Sequence, residues 1–170
     1  MTAMTFNLNS KFSFKKILPL ITIILFLAYK LYALEYHFGD GNAYFYMARQ
    51  IISGQIPYRD FLLADPPLLV YLLAGIKLII GQNLLLFLAV PPLLEAASAY
   101  LLYLNLKKRS LSYAFLAPFL YLFSFLILAT SDYITGLHFV LLLINLAFYW
   151  QKKPTLAGIC WGLASLIKLY

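Results

Sequence analysis

The chain has 170 residues, enough for one ordinary domain, with 64% hydrophobic residues and only 11% charged ones. Soluble domains carry roughly 45–50% apolar and about 25% charged residues. A water-soluble globule of this size could not hide so many apolar side chains, so composition excludes the soluble classes and points to an all-α integral membrane protein. The net charge of +7 falls in short basic clusters between apolar runs, the pattern that orients membrane segments. No basic stripe or stacking platform for nucleic acid accompanies it. The single Cys160 lies in an apolar stretch, so neither a disulfide framework nor a cysteine metal site is expected, and His37 and His138 form no ligand motif.

A helix needs ~20 apolar residues to cross ~30 Å of hydrocarbon. In chain order the first such run is 17–34, preceded by Lys11, Lys15 and Lys16. No small-residue cleavage pattern follows it, so it reads as an uncleaved span rather than a signal peptide. Residues 35–80 then form a large extracytoplasmic loop with two helices lying along the membrane surface. The first is 43–52, broken by Ser53-Gly54 and Pro57. The second, 66–80, opens at Pro66-Pro67, carries Lys77 and is short for a span. Four more spans follow at 83–106, 111–130, 134–150 and from 155 onward. Pro91-Pro92 are expected to kink the second span, and Glu95 falls midway along it. The reading is about five transmembrane helices in one membrane domain, 1–170.

Charge placement supports that count. With a cytoplasmic amino terminus and a surface-lying 66–80, the clusters Lys11/Lys15/Lys16, Lys107-Lys108-Arg109 and Lys152-Lys153 all become cytoplasmic. Glu35, Asp40, Asp60, Asp65 and Asp132 then share the outer face with Arg49, Arg59 and Lys77. If 66–80 crosses instead, both later basic clusters move outside. An inverted chain with six crossings leaves the first three lysines outside and the acid-rich loop inside.

Several residues carry a chemical and a plain reading side by side. Asp40, in Gly39-Asp40-Gly41-Asn42, is presented at a turn as a general base or caps the following helix. Glu95 is an intramembrane acid, functional or paired with a polar neighbour on another helix. Arg49 and Arg59 offer forks suited to phosphate, or to lipid headgroups. Lys30 and Lys77 sit near segment ends from which they can snorkel to the headgroups. Tyr29 with Tyr32, and Tyr149 with Trp150, read as interfacial anchors.

The wider stretch GDGNAYFYMARQIISGQIPYRDFLLADPPLLVYLLAGIKLIIGQN resembles the first extracytoplasmic loop of the GT-C superfamily of membrane glycosyltransferases. The matching features are Asp40 just after the first span, Tyr44, Ala48, Gly54, Pro57-Tyr58-Arg59-Asp60 and Pro66-Pro67-Leu68. Ala157-Gly158 to Lys168 is similar to that family's fifth span with its trailing lysine. The resemblance covers about residues 15–170 and implies a polyprenyl-phosphate-linked sugar donor and an acceptor hydroxyl on the extracytoplasmic face. It implies that Asp40 is the catalytic base and Asp132 a second acid. Arg49, Tyr58, Arg59 and Lys168 would then bind substrate or the lipid phosphate. No nucleotide is implied; a divalent metal is left open, although a lone Asp40 offers fewer oxygen ligands than a paired-carboxylate site. The chain departs from many relatives in having Asp40-Gly41 where they have Asp-Glu, and Asp65 where some carry a lysine. Family chains are longer, so this one corresponds to their amino-terminal portion: a fragment, a truncated product inactive alone, or one half of a split protein whose partner chain supplies the remaining spans. The rival readings are a non-catalytic multi-span protein that binds lipid or a membrane complex, and a transporter fragment.

Overall fold

The computed structural model describes residues 14–34 and 40–168; the side chains of Phe14, Lys16 and Asp40 lie outside the described set. Every regular element among the described residues is helical. The first helix, α1 (Phe14–Tyr32), is followed by α2 (Asp40–Ile52) and α3 (Leu68–Ile80). Helix α3 starts just after Pro66-Pro67, because proline fits a helix start, where its missing N–H is not needed. It ends at Gly81, whose φ of 71° suits a residue without Cβ.

Asn83 opens α4 (Leu84–Leu88), its side chain accepting from the Leu86 N–H at 3.2 Å. Ala89 both ends α4 and begins α5 (Val90–Lys108), so the two run on with one irregular residue between them. Pro91 and Pro92 occupy the first turn of α5, so the irregularity expected from them falls at Ala89, where they leave the carbonyls of 87 and 88 without the N–H donors a continuous helix would supply. Together, Leu84–Lys108 make 25 residues, long and apolar enough to cross a membrane. Ile17–Tyr32, Leu68–Ile80, Gly136–Tyr149 and Pro154–Ile167 are apolar but shorter.

The span expected at 111–130 is not one helix. A 3₁₀ turn, Ala114–Leu116, leads into α6 (Ala117–Leu122), and α7 (Phe125–Thr130) follows after a break. Ser124 makes the break by holding extended backbone, donating its hydroxyl to the Tyr121 carbonyl at 2.8 Å and capping α7 at the Ile127 N–H. Apolar composition alone carries no sign of this. Helices α8 (Gly136–Tyr149) and α9 (Pro154–Ile167) complete the bundle as an antiparallel pair, with Phe148 edge-on to Trp161.

Two apolar cores hold the bundle. One gathers Ala48 of α2, Leu69 and Leu73 of α3, Phe87 of α4, Val140 of α8 and Ile167 of α9. The other joins Ile23 and Phe26 of α1 to Ala96 and Ala99 of α5, Leu122 of α6 and Ile127 of α7. The outer surface remains apolar: Leu25 is 59% exposed, Leu120 67%, Phe125 88% and Ile79 85%.

The ends of the bundle differ in charge. Lys15 approaches the Phe115 ring at one end, where Lys108 donates to the Tyr149 carbonyl and Arg109 to Gln151 Oε1. The opposite end carries the carboxyl end of α1, the amino ends of α5 and α8, and the carboxyl end of α9. Asp132 and Glu95 belong to that half.

Candidate functional site

The loop from Ser131 to Thr135 joins α7 to α8 and is the point on which the acid-bearing end converges. Ile134 within it is fully buried in the first core. Asp132 faces Lys30 at the end of α1, the ammonium donating to its two oxygens at 2.9 and 3.0 Å and to the Leu128 carbonyl at 2.7 Å. The Lys30 side chain is 4% exposed and that of Asp132 34%. Lys30 thus turns inward to an ion pair instead of reaching for the headgroups, because an anion lies within reach of its buried stem. The hydroxyls of Ser131 and Thr135 are buried in the same loop without a hydrogen-bond partner.

Behind this loop lies a second polar group, wholly inside the protein. His138 Nδ1 and Glu95 Oε1 are 2.6 Å apart, and both side chains are completely buried. The other ring nitrogen, Nε2, faces the Tyr133 carbonyl at 2.9 Å. A carbonyl only accepts, so Nε2 carries a hydrogen and donates it. One further proton is then shared between Nδ1 and the carboxyl. The pair is neutral as a whole whichever atom holds it, which is the condition for burying two ionisable groups. Tyr121 donates to the second carboxylate oxygen, Glu95 Oε2, at 2.5 Å. Three helices, α5, α6 and α8, are tied by this network. His138 was missed in the sequence because 43 positions separate it from Glu95. The usable signal was that each is a lone ionisable residue in the interior of an apolar run.

Helix α2 brings its first turn to the same loop. A Cβ placed on Gly41 would lie 3.6 Å from the Ile134 backbone nitrogen, so Asp40, the preceding residue, starts its helix close to the loop carrying Asp132. The position of the Asp40 carboxylate itself lies outside the described residues. On the far side, a Cβ on Gly136 would meet Lys168 Cβ at 3.2 Å, so Lys168 ends α9 against the start of α8. Asp40, Asp132 and Lys168 are therefore brought to one end of the bundle by the backbone.

The remaining sequence candidates lie along the segment between α2 and α3. Arg59 makes a two-point contact with Asp60, at 2.9 and 2.8 Å. Their mutual contact raises the Arg59 pKa and lowers that of Asp60, which also accepts from the Ile56 N–H. Tyr58 adopts a positive φ of 67° and donates its hydroxyl to the Asp65 carbonyl at 2.6 Å. Tyr44 donates to Asp65 Oδ2 at 2.9 Å, beside a cavity of about 200 Å³ that Met47 and Leu63 also line. Arg59 and Tyr58 are thus engaged in shaping their own turn.

Arg49 is exposed on α2, and its charge reaches Lys77 on α3. Lys77 is 2% exposed, with its ammonium 3.0 Å from the centre of the Phe45 ring and donating to Gln82 Oε1 at 3.1 Å. It is covered by α2 and so does not snorkel, contrary to the expectation. Burial first, and the Arg49 charge second, push its pKa down. Among the described residues no group of three His, Cys, Asp or Glu side chains is placed to hold a metal ion.

No family model, curated protein or solved structure matches this chain.

Proposed function

We propose that the chain is a multi-pass membrane protein of GT-C type that transfers a sugar from a polyprenyl phosphate to an acceptor hydroxyl outside the cytoplasm. The observation that carries the reading is the convergence at one end of the bundle: the start of α2 at Asp40-Gly41 against Ile134, Asp132 two residues away, and Lys168 against Gly136. The membrane placement is supported by the apolar outer surface, the 25-residue stretch Leu84–Lys108, and the gathering of both later basic clusters at the opposite end.

In this reading Asp40 takes the acceptor proton as the acceptor oxygen forms its bond to the anomeric carbon. The bond from that carbon to the phosphate oxygen breaks, and the lipid phosphate leaves with the electron pair. Cations aimed at that phosphate lower the barrier by meeting charge as it develops. Lys168 and Arg49 take this role, while Arg59 is already committed to Asp60. Asp132 holds Lys30 and so fixes the loop beside the site.

The test is Asp40→Asn in isolated membranes, supplied with a panel of short polyprenyl-phosphate hexoses and pentoses. Lost transfer at normal membrane abundance supports the reading, and unchanged transfer rejects Asp40 as the base. A second reading, a non-catalytic membrane protein, is favoured by one observation: both Asp132 oxygens are held by Lys30. Absence of transfer by the unaltered chain with every donor in the panel selects that reading.

A further inference from the structure

The basic end of the bundle contains a cavity of about 520 Å³ formed where the end of α5 meets the turn between α8 and α9. Lys108, Arg109, Lys152 and Lys153 all line it, together with Tyr149 and Trp150, and no carboxylate does. All six acidic residues of the chain lie elsewhere in sequence: none falls between 96 and 131 or after 132. The cations that the structure ties down are tied to neutral groups. Lys108 reaches the Tyr149 carbonyl at 3.4 Å and lies 3.2 Å from the centre of its ring, and Arg109 donates to Gln151 Oε1 at 3.1 Å. These contacts orient positive charge around a hollow without neutralising it.

We propose that this cavity binds the phosphate of an anionic membrane lipid headgroup. Four basic residues line a volume that accommodates a phosphate with its glycerol, and arginine supplies a planar fork that matches phosphate oxygens. Tyr149 and Trp150 stand at the end of α8 at headgroup level, where amphipathic rings sit against acyl chains below and water above. Clustered Lys and Arg beside a membrane helix attract anionic lipids over about a Debye length. Loops held by separate helices add to this a defined pocket. The ligand bridges α5 and the α8–α9 turn, and so braces the end of the bundle remote from Asp132. The inference rests on the proposed membrane placement and is independent of the transfer chemistry.

The experiment uses the full chain purified in a neutral detergent, so that insertion and orientation are already complete. Bound lipid is read by native mass spectrometry after addition of short-chain phosphatidylglycerol or phosphatidylcholine. The expected result is retention of phosphatidylglycerol over phosphatidylcholine, falling about ten-fold in Arg109→Gln/Lys152→Gln. The control Lys15→Gln/Arg59→Gln removes the same charge at residues that do not line the cavity and is expected to retain the lipid. Equal loss in both double variants, or no preference in the unaltered chain, overturns the proposal. Inorganic phosphate displacing the lipid at equal concentration also overturns it, by making a soluble phosphate the ligand. Should the cavity variant unfold, Trp161→Phe leaves Trp150 as the lone tryptophan beside the cavity. Its emission is expected to respond to phosphatidylglycerol and not to phosphatidylcholine; an equal response to both rejects the site. Failure of membrane placement is detected separately. In a Cys160→Ser background, reaction of Lys108→Cys with an impermeant reagent on intact cells would reject that placement.

Discussion

Glu95 and His138 lie 2.6 Å apart inside the bundle, neither with any exposed side-chain surface. Removing one partner leaves the other buried and unpaired. Glu95→Ala or His138→Ala is therefore expected to destabilise the fold by about 3–5 kcal/mol. Replacing both with leucine, together with Tyr121→Phe to remove the hydroxyl that Glu95 accepts from, is expected to recover most of that loss, since apolar packing substitutes well for a buried pair. Thermal unfolding followed by circular dichroism in one fixed detergent checks both outcomes.

The Lys30–Asp132 pair is asymmetric, with 4% of one side chain exposed and 34% of the other. Asp132→Ala strands a buried ammonium and is expected to cost roughly 1–3 kcal/mol. Lys30→Met leaves a carboxylate that water can reach, so its cost is expected to be the smaller of the two. Unfolding midpoints of the two single variants decide this, and equal losses would contradict the asymmetry.

Lys77 gives a pH signature. Its pKa is lowered by burial, with Arg49 adding to the effect, whereas an unfolded lysine titrates near ~10.4. Between the native and unfolded values the unfolded chain binds more protons, so stability rises with pH through that window. Below it, the cost of holding the buried charge is present in full. The difference in unfolding midpoint between Lys77→Met and the unaltered chain is expected to narrow from pH 7 to pH 10, as measured by melts across that range.

Two glycines at the converging end should respond differently to added bulk. A Cβ on Gly41 would meet its neighbours at 3.6 Å, ordinary contact, so Gly41→Ala is expected to be neutral or to stabilise α2 by up to about 1 kcal/mol. At Gly136 the same atom meets Ile167 Cγ2 and Lys168 Cβ at 3.2 Å. Gly136→Val is expected to cost about 1–3 kcal/mol, because the end of α9 has to shift. Melting midpoints rank the pair, and a Gly136→Val as stable as Gly41→Ala would refute the close approach of Lys168.

Helix positions were largely legible because apolar runs and their Pro, Gly and Asn punctuation are local properties. Thus α3 begins after Pro66-Pro67 and ends at Gly81, as composition suggests. What escaped was decided by partners distant in sequence. Snorkelling is a reasonable expectation for Lys30 until Asp132 is known to stand beside it, and for Lys77 until Phe45 is known to cover it. His138 had no meaning without Glu95. The break in the 111–130 run is local, but it depends on Ser124 bonding its own turn in place of solvent, an option that hydropathy does not register. At the candidate site, Asp132 and Lys168 drew notice from a family likeness, while the loop that joins them to Gly41 became visible only through packing.

The partner of Lys30 is 102 positions further along the chain. At ribosomal speeds of about 5–20 residues per second, Asp132 emerges roughly 5–20 s after the lysine it neutralises. During that interval the newborn first helix carries an ammonium without the carboxylate that holds it in the finished fold. The contact that anchors the last turn of α1 therefore cannot form until the loop between α7 and α8 has been made.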